Sequence, residues 1–125
     1  MANPEHVRLL IDGGVEEWNK FRRNSQSPLP DLSGADLSGY DFTSLDLSHA
    51  NLEGVDLSDA YLYRANLTEA LLTRANLTEA DILEANFIKA NLSFATMIGV
   101  DLTATGLIAC NLEGANLERS NLTQA

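Results

Sequence analysis

Between Leu32 and Leu122 every fifth residue is apolar, nineteen positions in succession without exception. Most are leucine; Phe42, Ile82, Phe87 and Met97 are the variants. A period of five fits neither ordinary element. On an α-helix five residues advance the direction by about 500°, so the leucines would smear around the cylinder. On a straight strand five is odd, and successive leucines would point to opposite faces. They can share one core only if the chain turns within every repeat and winds around its own leucines.

A second regularity supports the winding. Two residues before most centres sits a small residue, as at Ala50, Ala60, Ala65, Ala70, Ala75 and Ala80. Inward positions therefore alternate between a large side chain and one little bigger than a methyl, as space beside a bend requires. Asn or Asp dominates the position between them, for example Asp36, Asp56, Asn66 and Asn76. Backbone N–H and C=O groups must still be paired, and stacking successive coils pairs them at about 4.8 Å. The chain is expected to be an all-β solenoid, and the unbroken apolar centres argue against a disordered tract.

The segments "DLSGADLSG" (31–39), "ANLEGVDL" (50–57), "RANLTEA" (64–70 and again 74–80) and "EGANLERSNL" (113–122) resemble the pentapeptide repeat family, whose motif is A(D/N)LXX. The resemblance covers residues 31–125 and implies a right-handed quadrilateral β-helix with four pentapeptides per coil. Nineteen repeats then make about four to five coils, a rod roughly 23 Å long at the strand spacing. Handedness and four-sidedness come from the family; the spacing alone gives only the coil.

Residues 1–30 are written differently. Asn3 can cap a helix, Pro4 suits its first position, and Glu5 complements its positive end. Val7, Leu10 and Ile11 form an apolar stripe that Val15, Trp18 and Phe21 continue, while Gly13-Gly14 should stop or bend the helix. Two short helices or one broken helix are expected, followed by an extended "SPLPD" lead-in. Because an open solenoid end exposes core and unpaired edges, the segment is read as an N-terminal α-helical cap on the first coil, next to the bulky Tyr40 and Leu45. The end at Ala125 shows no comparable helix, so a monomer or a weak C-terminal end-to-end dimer is expected. The lead-in "GVEEWNKFRRN" resembles that of cyanobacterial members of the family.

The net charge of −10 is confined to the repeats. Residues 1–30 hold four acids and four bases, whereas residues 31–125 hold 14 acids and 4 bases. That balance excludes a basic nucleic-acid footprint and suits solubility or a basic partner. No basic and apolar leader or spanning segment is visible, and the single Cys110 fits a reducing compartment, so a cytoplasmic location is expected. Cys110 falls on an inward small site and is expected to be a buried, unreactive thiol.

Convergent chemistry is not evident. His6 and His49 are isolated, and the many Ser and Thr hydroxyls follow from the repeat. No phosphate loop or zinc spacing occurs, so no catalytic residue, cofactor or metal ligand is assigned. A twenty-residue coil stacks Asp36 over Asp56 and Asp81 over Asp101, most simply as hydrated surface carboxylates. It also stacks Arg64 over Glu84 and Glu69 over Lys89 as ion pairs. Outward positions that turn apolar are the candidate partner surface: Tyr61, Tyr63 and Leu83 on one side, Ile88 and Ile108 on the next, with Leu71, Phe94 and Ile98 elsewhere. The expected function is a non-enzymatic interaction, scaffold or regulatory module for an unidentified protein. The alternative, implied by the resemblance, is an acidic DNA mimic that binds a type II topoisomerase (DNA gyrase), although about 23 Å of rod covers only about seven base pairs.

Overall fold

A computed structural model describes every residue except Ser25 and Ser27, so the first position of the expected "SPLPD" lead-in lies outside the described residues. Helix α1, Pro4–Arg23, comes first. The Asn3 side chain accepts from the Glu5 amide at 3.0 Å and caps it. Gly14, at φ 74° and ψ −174°, kinks it between its two halves. Only glycine takes that conformation cheaply, which is why the broken-helix alternative prevails.

From Asp31 onward the chain coils. Parallel bridges link residues twenty apart, from Asp31 with Asn51 to Asp101 with Asn121. Each side contributes one bridged residue per level rather than a strand, because the chain turns again after five residues. The four sides can be numbered by their bridged residues: side one from Asp31, side two from Asp36, side three from Asp41 and side four from Asp46.

Two local devices make each corner. The residue two after every centre, from Gly34 to Gln124, has a positive φ between 56° and 73°. Most of these are not glycine; Glu69, Lys89 and Phe94 are examples. Left-handed backbone costs a non-glycine residue roughly 1–2 kcal/mol, so the corner must be held by its surroundings. The Asn or Asp side chain supplies part of that hold by accepting the amide two residues on, as in Ser33 to Asp31 at 3.0 Å and Ser93 to Asn91 at 3.0 Å. Inter-coil bonds supply the rest. On one side of one level, Leu62 N–H donates to Asp81 O at 2.7 Å, Arg64 N–H to Leu83 O at 3.1 Å, and Asp81 N–H to Ala60 O at 2.9 Å.

Centres and small sites point inward together. Leu52, Leu57, Leu62, Leu67, Leu72 and Leu77 are fully buried, as are Ala50, Ala60 and Ala70. The last turn differs: Leu107, Leu112 and Leu117 are half-buried and Leu122 is 48% exposed.

Helix α1 lies against the first coil, with Leu10 and Trp18 buried. Trp18 Nε1 donates to Asp46 O at 2.7 Å, and Arg22 reaches Asp46 O and Ser48 O. Asn19 accepts from Asp46 N–H at 2.8 Å and donates to Ser44 O. At the helix start, Asn3 N–H donates to Asp31 O and His6 Nδ1 accepts from Asp31 N–H at 3.0 Å. Sides one and four of the first coil thus have their edge groups taken up by the helix.

Candidate partner-binding surface

The twenty-residue register brings the expected surface residues into two adjoining columns. Tyr61, Tyr63 and Leu83 lie on side three, and Ile88 and Ile108 on side four. Tyr61 is 53% and Ile108 72% exposed. Tyr63, Leu83 and Ile88 are half-buried, since a long side chain at this position lies along the neighbouring coil. Tyr61 occupies the bridged position normally held by Asn or Asp. Its ring projects there in place of the carboxamide that would fold back onto the turn.

Beside Tyr61 is a charged cluster. Arg64 Nε meets Glu84 Oε2 at 2.7 Å, Tyr63 Oη donates to Glu84 Oε1 at 3.3 Å, and the Arg64 guanidinium lies 5.1 Å from the Tyr63 ring centre. The hydrogen bond from Arg64 holds the Glu84 carboxyl below its usual pKa. Arg64 and Glu84 are exposed, so their pairing orients side chains more than it stabilises the fold.

Other expectations sort by position. Glu69 turns to His49, 3.5 Å away, rather than pairing with Lys89 as expected. Leu71 and Phe94 are exposed on side one, where Arg74 lies 5.5 Å from the Phe94 ring centre. The Phe94 ring covers Gly114, whose missing Cβ leaves it room. Cys110 is half-buried rather than fully buried, because it belongs to the open last turn; burial still raises its pKa to about 11. Among the described residues no group of three or more His, Cys, Asp or Glu is placed to hold a metal ion. No described helix is long and apolar enough to cross a membrane.

A concavity of about 550 Å³ between α1 and the first coil escaped the repeat pattern; Pro4, Val7, Ile11, Ser33, Gly34 and Ala35 line it. Nothing in a five-residue period could announce it, because it arises where the start of the helix meets the corner at the end of side one.

The pentapeptide repeat model matches residues 30–59, 56–93, 65–103 and 85–124, in eight copies. The chain belongs to the pentapeptide repeat family. Pentapeptide repeat proteins adopt a right-handed quadrilateral β-helix and are in general non-enzymatic. Among solved structures, the chain is similar to the pentapeptide repeat protein Rfr23 from the cyanobacterium Cyanothece 51142. Identity is 31%, covering 78% of this chain and 67% of that one, with a TM-score of 0.43. A pentapeptide repeat protein of the Arabidopsis thaliana thylakoid lumen is 28% identical over 71% of this chain and 66% of its own, with a TM-score of 0.42. QnrB1, a plasmid-mediated fluoroquinolone resistance protein, shares the fold at 20% identity, 76% and 54% coverage and a TM-score of 0.50. This pentapeptide repeat chain therefore spans about two-thirds of the first two proteins and about half of QnrB1. No curated protein matches it.

Proposed function

We propose that this pentapeptide repeat protein is a non-enzymatic interaction module, a rod of about four to five coils capped by α1. Its partner docks across sides three and four. The observation that carries this reading is the exposure of Tyr61 and Ile108 at outward positions that the repeat mostly fills with polar residues. Large aromatic and aliphatic side chains there supply contact area, and the carboxylates of Asp41, Asp81 and Asp101 on side three would favour a basic rim on the partner. The module acts in the cytoplasm, as a monomer or a weak C-terminal end-to-end dimer.

The test is a pull-down from the source organism with the intact protein and with a Tyr61→Glu/Ile108→Glu variant. One specific partner lost in the variant, at an unchanged melting temperature, supports the reading. Equal capture by both proteins rejects it. The acidity of the repeats favours the second reading, a DNA mimic that engages a type II topoisomerase. Inhibition or protection of gyrase supercoiling by the purified protein would select that alternative.

A further inference from the structure

Among the described residues the inter-coil ladder loses a whole set of bonds at one place only; elsewhere a single bond is missing, Ala104 N–H to Thr123 O in the last turn. Between residues 81–84 and 101–104 on side three, all three expected backbone bonds are missing. Ile82 and Glu84 N–H do not reach Asp101 and Thr103 O, and Asp101 N–H does not reach Ala80 O. The equivalent bonds one level earlier, from Leu62, Arg64 and Asp81, all form, and Leu102 N–H again donates to Asn121 O at 2.7 Å one level later. Sides one, two and four stay closed at the interrupted level: Leu92 donates to Asn111 O, Leu77 to Thr96 O and Phe87 to Gly106 O.

The inward small sites explain the interruption. Val100 and Thr105 stand at the two corners that bound residues 101–104, where the two preceding coils place alanine (Ala60 and Ala65, Ala80 and Ala85). They stack over Ala80 and Ala85, both are buried, and each adds volume at a site with little to spare. A single enlarged site does not open the ladder. Over Val55, Asp56 N–H still reaches Ala35 O at 2.9 Å, and over Cys110, Asn111 N–H still reaches Ala90 O at 3.0 Å. Tyr40 and Leu45 form a consecutive pair in the first coil, but no coil lies upstream of them to be pushed away. Val100 and Thr105 are held between coils, so the side that spans them lifts. Thr105 then turns its hydroxyl to Ile82 O at 3.3 Å.

We infer that this gap is a flexural hinge of the rod: side three opens and closes between residues 81–84 and 101–104 while the other three sides stay bonded. Opening there tilts residues 101–125 towards side one and changes the spacing between Leu83 and the last turn. The inference rests on the ladder and is independent of whether a partner binds side three.

Amide hydrogen exchange read by NMR on the intact protein tests it. Ile82, Glu84 and Asp101 amides should exchange at least about 100-fold faster than those of Leu62, Arg64 and Asp81, which occupy the same positions one level earlier. In a Val100→Ala/Thr105→Ala variant the three fast amides should slow towards the values of their counterparts. Equal protection of the two sets in the unmodified protein overturns the hinge. Fast exchange that persists in the variant, with the fold intact by circular dichroism, overturns the assignment of its cause to the enlarged corners.

Discussion

The first and last turns of the rod carry the same repeat and differ in burial. Leu32, Leu37 and Leu47 are fully buried, whereas Leu107, Leu112 and Leu117 are half-buried and Leu122 is nearly half exposed. The difference is helix α1. At the first turn Leu10 and Trp18 cover the leucines, and the Asn3 amide with side chains from His6, Asn19 and Arg22 takes the edge's backbone groups. The comparison teaches that burial in a solenoid belongs to the neighbouring layer rather than to the residue. A leucine in register is core only where something stacks on both sides of it.

Removing the helix gives the largest expected effect. A protein lacking residues 1–27 should form concentration-dependent oligomers through its exposed first-turn edge, seen by light scattering, while the intact protein stays a monomer or weak dimer. A truncated protein that remained monomeric and equally stable would break the comparison. Trp18→Ala should cost about 3–5 kcal/mol in urea unfolding, because a buried ring and its bond to Asp46 O are lost together. A cost below about 1 kcal/mol would mean that the helix rests on the first coil without holding it.

Leucine truncations sharpen the contrast. Leu52→Ala in the closed part of the rod should destabilise by about 2–5 kcal/mol. Leu122→Ala should cost under about 1 kcal/mol, since that side chain is already largely in water. Equal losses would show that something covers the last turn in solution. Overpacking comes next: Ala70→Leu should cost about 1–3 kcal/mol, and Glu53→Leu on the outside no more than about 0.5 kcal/mol.

The inward and outward assignment was legible because period and residue size are both written in the chain. Leu52 and Ala70 could be placed from sequence alone. The corner chemistry was less accessible. A preference for Asn and Asp was visible, but its cause, a side-chain oxygen accepting the amide two residues on, depends on the left-handed residue that follows. Positions such as Glu69 or Lys89 give no sign of that conformation. The half-exposure of Cys110 and Leu117 was missed because the period treats all repeats as equivalent, whereas burial depends on what lies above. Of the candidate surface, Tyr61 and Ile108 are exposed. Tyr63, Leu83 and Ile88 are half-buried, with a further coil stacked over each of them, whereas Ile108 lies on the last turn.

The smallest expected effect concerns acid. All four turns of the first coil use Asp31, Asp36, Asp41 and Asp46, whereas the middle repeats use Asn66, Asn76, Asn86 and Asn91. Hydrogen bonds from Ser33, Ser38 and Thr43 hold Asp31, Asp36 and Asp41 below the usual carboxylate pKa. A depressed folded pKa contributes stability above the unfolded value, about 3.9, and that contribution is lost as pH falls through the folded one. The first coil should therefore loosen before the middle repeats below about pH 4. The fluorescence of Trp18, the sole tryptophan, reports on it directly. Asp36→Asn/Asp41→Asn keeps the accepting oxygen without the titration and should move the loss to lower pH. An unchanged acid profile would separate these carboxylates from the stability of the first turn.

The twenty-residue stacking interval also couples length to direction. Adding or deleting twenty residues lengthens or shortens the rod and leaves every outward side chain pointing where it did. Adding or deleting a single pentapeptide preserves the core equally well but turns everything downstream by a quarter of a revolution. Losing the five residues 83–87 would carry Ile88 and Ile108 around the corner into the column of Tyr63. Gene-level changes invisible to the leucine pattern would thus redraw the outer surface wholesale, so relatives that differ by one repeat share an interior while presenting different compass bearings to the same partner.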